Sequence, residues 1–259
     1  MNHMTDFLRR SGAALAFLMA AALPATVQAQ TTDSPEEVPR WEGRGFAHVS
    51  VGVQPTGRTH VAAGSFDLYD EPATFEASVG TGAAAAVDLT GGIRLWENFA
   101  GMMSYTFYSD SAGAVVDARI PHPLFADMYA TGSAEVGGLR HREQSVHLAV
   151  AYVLPLPALW DSRLMVFAGP SIIALSKGVV QDVTVQPGTQ DVTGATTRNV
   201  SATTLGGHFG FDVQYPVTDR FGAGFLLRWS GGTADVPQVE GGKVKVGGLQ
   251  VGVGIRYAF

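Results

Sequence analysis

The chain closes on VGGLQVGVGIRYAF, residues 246–259, where every second residue from Leu249 to Phe259 is apolar and Gln250, Gly252, Gly254, Arg256 and Ala258 fill the gaps. A period of two is the signature of a β-strand with one oily face. Chain ends fray, and an aromatic terminus gains little in water. A medium other than water is therefore expected to face the stripe formed by Val251, Val253, Ile255, Tyr257 and Phe259.

The opposite end explains how the chain would reach such a medium. Arg9 and Arg10 precede a nearly uninterrupted apolar run over 12–24, and Val27, Gln28 and Ala29 supply the small residues of a cleavage site. Residues 1–29 read as a signal peptide. A spanning anchor would need about 20 apolar residues, and the run is shorter. Residues 30–44, QTTDSPEEVPRWEGR, are polar, acidic and proline-bearing, and read as a flexible periplasmic lead-in.

Composition agrees with export. The chain has 32 glycines, no cysteine and a formal net charge of -6. That set fits an exported all-β chain without disulfides, and the absent thiol excludes a lipid-anchored amino-terminus. The acidic balance argues against nucleic acid as a partner. No stretch beyond the leader has the apolar length of a spanning helix.

Alternation recurs along residues 45–259. FAHVSVGV sets Ala47, Val49, Val51 and Val53 against His48, Ser50 and Gly52; VDLTGGIRL sets Val87, Leu89 and Ile93 against Asp88, Thr90 and Arg94. QSVHLAVAYVL, LGGHFGFDVQY and FGAGFLLRWS repeat the pattern, the last two placing Phe209, Phe211, Val213, Phe225, Leu227 and Trp229 on the apolar side. AGMMSYTFYS and RLMVFAGPSIIAL read as strands of undecided facing. Short connectors near 96–99, 158–163 and 216–220 alternate with long polar links near 55–83, 110–143, 177–202 and 232–245. Short turns at one end and long loops at the other define a closed, antiparallel, up-and-down transmembrane β-barrel of about eight strands, its turns in the periplasm and its loops outside. Trp96, Phe99, Trp160, Tyr215, Phe221, Tyr257 and Phe259 gather at the short-turn end as one interfacial belt, with Tyr105, Phe107 and Trp229 as the other. A soluble lipocalin-type barrel would instead carry its bulky apolar face inward.

On the leader, the GGIRLWENFAGMMSYTFYSD strand-turn-strand unit and the closing VGGLQVGVGIRYAF, the sequence resembles the small outer-membrane β-barrel proteins related to the membrane domain of OmpA, OmpX and OmpW. The resemblance implies residence in the bacterial outer membrane among its lipid and lipopolysaccharide, as a monomer. It also implies that Ile255, Tyr257 and Phe259 form the terminal signal read by the barrel-assembly machinery. Unlike full-length OmpA, the chain shows no peptidoglycan-binding domain after the barrel.

The polar face supplies the candidate residues. Arg94, Asp212 and Arg256 are expected to converge near the short-turn end of the lumen, with Asp88, His147, His208 and Arg228 higher up. Buried charges persist when paired, so an internal network holding the barrel shut is expected in preference to a relay. His48 and Ser50 have the H-x-S spacing of an outer-membrane lipid A deacylase, but they fall on the lumen side and lack a visible partner carboxylate. A lipid A-modifying hydrolase is thus the remotest reading, and no catalytic, metal or cofactor-binding residue is assigned.

In the link over 118–130, Ile120, Leu124, Phe125, Met128 and Tyr129 either pack in an ordered mouth or form a lip for a hydrophobic ligand or partner. Arg140, His141 and Arg142 form a basic patch where the chain re-enters the membrane, suited to lipopolysaccharide phosphates or to plain solvation. Asp67, Asp70 and Glu71 lack calcium-loop spacing. Two functions follow: a non-enzymatic envelope protein presenting loops to partners, as in OmpX, or an OmpW-like conduit for small hydrophobic molecules. A plugged lumen distinguishes the first from the second.

Overall fold

The computed structural model describes residues 44–55, 58–186, 189, 191–236 and 242–259. The expected signal peptide (1–29) and the lead-in (30–44, apart from Arg44) lie outside the described residues. Ten strands follow one another: β1 (Gly45–Gln54), β2 (Arg58–Leu68), β3 (Glu71–Thr81), β4 (Ala84–Trp96), β5 (Phe99–Pro121), β6 (Tyr129–Leu156), β7 (Ser162–Val185), β8 (Val192–Pro216), β9 (Phe221–Asp235) and β10 (Lys243–Ala258).

Eight of them close a ring. β1 pairs with β4 on one side and β10 on the other, and antiparallel pairing runs through β4, β5, β6, β7, β8 and β9 back to β10. The closing strand is the carboxy-terminal β10, in register with β1 from Phe46 opposite Ala258 to Val53 opposite Val251. The two remaining strands, β2 and β3, form a hairpin whose turn holds Tyr69 and Asp70 at positive φ, the geometry of a tight primed turn. β3 pairs with β5 over Thr74–Gly80, beyond the point where β4 leaves it.

Around the lower ring, bulk faces outward. Val49, Val51, Leu89, Ile93, Met103, Leu148, Val150, Val166, Ile172, Phe209, Val253 and Ile255 are exposed, whereas His48, Ser50, Asp88, Ser104, His147, Ser171, Asp212, Arg228 and Arg256 are buried within. Phe211 and Leu227 face the same outer wall, lining an apolar groove with Trp229. At the short-turn end, aromatic contacts form a belt: Trp96 stacks on Phe99 at 6.0 Å, Phe99 meets Tyr152 at 5.1 Å, Trp160 meets Tyr215 at 6.3 Å, and Phe221, Tyr257 and Phe259 continue it. Phe209 and Trp229, 5.4 Å apart, stand in the opposite belt. From Phe221 to Trp229 the chain rises roughly 26 Å along its axis, close to the ~25 Å apolar band of such barrels once tilt is allowed for.

Above that band the same strands reverse their polarity. The links read as long loops at 110–143 and 177–202 are mostly strand: β5 and β6 run on to a turn at 122–128, and β7 and β8 run on to Val185 and from Val192, where the Gln186 N–H donates to the Asp191 carbonyl at 2.9 Å. Ala112, Ala114, Val116, Ala118 and Ile120 now point inward and join Phe75, Ala77, Val79, Leu139, Val180 and Val183 in a buried apolar cluster, while Asp117, Arg119 and Glu135 face out. Water replaces lipid outside, so the oily face turns to the interior. A bulge between Ala112 and Ala114 of β5, opposite Gly137 and Gly138, marks the junction.

The reversal predicts opposite mutational responses on one wall. Val253→Arg, at mid-band on β10, is expected to cost about 2–4 kcal/mol in urea unfolding from lipid vesicles, whereas Val115→Arg, exposed on the upper part of β5, should stay within about 0.5 kcal/mol. Equal costs would contradict the placement of the bilayer.

Candidate functional site

The lumen is filled in tiers. Near the short-turn end, Arg256 of β10 grips Asp212 of β8 through one guanidinium edge, with Nε donating to Oδ1 at 3.0 Å and Nη2 donating to Oδ2. Its Nη1 also donates to Ser50 Oγ at 2.9 Å. The guanidinium lies over Gly224, where a Cβ would overlap it, which explains the glycine at that inward position of β9. His48 stacks on Phe46 at 4.6 Å and meets the Gln214 amide at 3.3 Å. Ser50, the second half of the H-x-S pair, is thus held by an arginine, and its neighbour His48 is held by an aromatic ring and an amide.

One tier higher, Arg228 of β9 reaches across the bore. Its Nη1 donates to Asp88 Oδ2 at 2.5 Å and to Thr106 Oγ1 at 2.8 Å, and its Nη2 donates to Ser104 Oγ at 3.1 Å. Asp88 also accepts from Thr90 and Thr106 hydroxyls at 2.7 and 2.8 Å, and the Arg228 guanidinium lies 5.5 Å from the Phe167 ring. Beside this pair, Ser171 Oγ sits 2.7 Å from His147 Nδ1 and 2.9 Å from His208 Nδ1. A hydroxyl has one hydrogen to give, so at least one of the two imidazoles donates from Nδ1.

A third tier lies above the upper aromatic belt. Glu143 of β6 takes His141 Nε2 at 2.8 Å on one oxygen and the Gly247 amide at 2.8 Å on the other, while Gln54 Nε2 donates to the Gly247 carbonyl at 2.9 Å. Gly247 adopts φ +84°, a left-handed conformation that glycine reaches without strain and that lets this peptide serve both side chains. Lys177 of β7, opposite His141, is 1% exposed and its ammonium has no hydrogen-bond partner among the described residues. Burial pushes it down to about 8, with nearby Glu143 acting against that shift. Ile173, Leu175, Val179, Val200, Val244 and Val246 pack around and above this level.

Of the residues expected from sequence, Asp212 and Arg256 pair, Asp88 and Arg228 pair, and His147 and His208 share one serine. Arg94 is a correction: it is exposed at the short-turn end and outside the Asp212–Arg256 pair. Arg94 is the last residue of β4 in register with β5, opposite buried Ala100, before the pairing slips towards Trp96, so it keeps the inward side but stands at the exposed rim of the ring. In the basic patch, Arg140 and Arg142 face outward while His141 turns into the lumen; Arg142 lies 5.5 Å over the Phe107 ring of the upper belt. At the tip of the β5–β6 hairpin, Leu124, Phe125 and Met128 are exposed, whereas Ile120 is buried and Tyr129 lies under Arg119 at 3.8 Å. Glu143 and Lys177 were missed because each charge stood in a segment read as a solvated link.

An antiparallel ring without edges, an apolar wall between two aromatic belts and a bore filled with paired polar groups define the fold of a small transmembrane β-barrel. The chain is similar to the crystal structure of Neisserial surface protein A (13% identity, 83% of this chain and 97% of that one, TM-score 0.42). It is also similar to OprG of Pseudomonas aeruginosa (11% identity, 84% and 96%, TM-score 0.39) and to the attachment invasion locus protein Ail of Yersinia pestis (12% identity, 83% and 99%, TM-score 0.36). No family model and no curated protein matches the sequence.

Proposed function

We propose that the protein is a non-enzymatic outer-membrane barrel that reinforces the envelope and engages partners at the cell surface through its projecting sheet. The observation that carries this reading is the filled bore beneath an extended extramembrane sheet. Arg228, Arg256, Asp88, Asp212, His147 and Lys177 are each no more than 3% exposed, and an eight-stranded ring is only wide enough for its own side chains. The OmpW-like conduit would need a continuous apolar bore, and charged pairs occupy the positions where one would run.

The projecting sheet supplies the interaction surface. From Phe107 to Pro121, β5 extends roughly 45 Å along its axis beyond the upper belt. Residues 192–203 of β8 pair with β7 but with no strand paired on their other side among the described residues. An open edge of that length is suited to adding an extended strand from a partner. Leu124 and Phe125 would offer apolar contacts at the tip, while Arg140 and Arg142, just above the belt, would meet lipopolysaccharide phosphates. Ile255, Tyr257 and Phe259 remain the proposed signal for the barrel-assembly machinery. The test is uptake: vesicles carrying the reconstituted protein should take up apolar dyes no faster than empty vesicles. Facilitated, saturable uptake would replace this reading with the conduit.

A further inference from the structure

We propose that the short-turn mouth of the barrel is a binding site for a small oxyanion, a carboxylate or a phosphate, held by Arg163 and Arg220. A small cleft, with about 30 Å³ of enclosed space, opens there between the start of β7, the end of β8 and the β8–β9 turn. Its inner boundary is the buried guanidinium of Arg256, already engaged by Asp212, so the cavity is a vestibule with a closed floor. Arg163 stands directly opposite Gln214 in the β7–β8 register, and both line the space together with Arg220 from the turn.

The charges do not balance locally. Asp212 is taken by Arg256, and neither Arg163 nor Arg220 has a carboxylate within salt-bridge distance among the described residues. Asp219 also lines the cavity, yet it is exposed in the turn and forms no ion pair. Three arginines and one carboxylate, Asp219, therefore line the cleft, and the one carboxylate paired with any of these arginines among the described residues is Asp212 on Arg256. A guanidinium presents paired N–H donors in a planar fork that matches two oxygens of a carboxylate or phosphate. The Gln214 amide, half-buried on the same wall, adds a polar group that would orient the ligand. The small volume and the closed floor limit the ligand to a free anion or the anionic end of a chain entering from the short-turn side.

The experiment titrates the full chain, folded in detergent micelles, with inorganic phosphate and separately with acetate, following arginine Nε–Hε resonances at constant ionic strength. Saturable shifts at the Arg163 and Arg220 resonances are expected with at least one anion, and the one that binds more tightly identifies phosphate or carboxylate as the recognised group. The double variant Arg163→Gln/Arg220→Gln should weaken binding at least about tenfold. Arg119→Gln/Arg198→Gln, which removes the same charge from the exposed upper strands, should leave it unchanged. Retarded or heat-modifiable migration on gels checks that each variant is folded, and single Arg163→Gln and Arg220→Gln variants serve should the double variant fail. The proposal is overturned by non-saturable shifts with both anions, by binding that survives both arginine replacements, or by equal loss in the Arg119 and Arg198 control. None of these results bears on dye uptake, so the site and the sealed-barrel reading stand or fall separately.

Discussion

Arg228→Met is expected to destabilise the barrel by about 3–5 kcal/mol, read as a shift of urea-dependent unfolding in lipid vesicles. The guanidinium is the common partner of Asp88, Thr106 and Ser104, and it ties β9 to β4 and β5 across the bore. Methionine fills much of the same volume, so packing changes little. What remains is a carboxylate buried without its cation, and that is the costly state. The double variant Arg228→Met/Asp88→Asn removes the stranded charge and should recover at least half of the loss. A single variant within about 1 kcal/mol of the native protein, or a double variant no better than the single, would show that the pair does not hold the ring.

Lys177→Met is expected to do the reverse and stabilise the protein. The side chain is 1% exposed, its ammonium has no hydrogen-bond partner among the described residues, and burial lowers it to about 8 from an ordinary value near 10.5. A base whose folded value lies below its unfolded one makes folding less favourable wherever it must carry charge. The penalty is fully present below about pH 8 and disappears as pH rises towards 10.5. Its size at pH 7 is on the order of 3 kcal/mol. The difference in unfolding free energy between Lys177→Met and the native chain should therefore be largest at pH 7 and shrink across pH 8–10.5. A pH-independent difference, or a destabilised variant, would mean that Glu143 compensates the ammonium fully in solution.

Much of the membrane-spanning ring was legible because a lipid-facing strand has a strong and simple pattern: Val49-x-Val51-x-Val53 and Val251-x-Val253-x-Ile255 alternate bulk with small or polar residues at high contrast. The extramembrane strands were not, although a weaker signal was present. ATFEASV at 73–79 and the AxAxVxAxI spacing at 112–120 also alternate, but alanine carries most of the apolar positions and the contrast is low. Arg94 was misplaced for a different reason, since alternation gives its side of the strand but not its position at the exposed rim of the ring.

The sequence alone determined the period, the aromatic belts and which residues of the lower strands are polar on the inner face, because each depends on neighbours two residues apart. Tertiary structure decided everything that depends on height and closure: that Asp88 meets Arg228 across 140 residues of chain, that Arg256 rather than Arg94 meets Asp212, and that Lys177 and Glu143 face inward above the bilayer. It also decided where the oily face turns from outside to inside. Alternation gives a side but no elevation, and only the stagger of a closed ring sets which inward groups share a level and whether lipid or water lies beyond the wall.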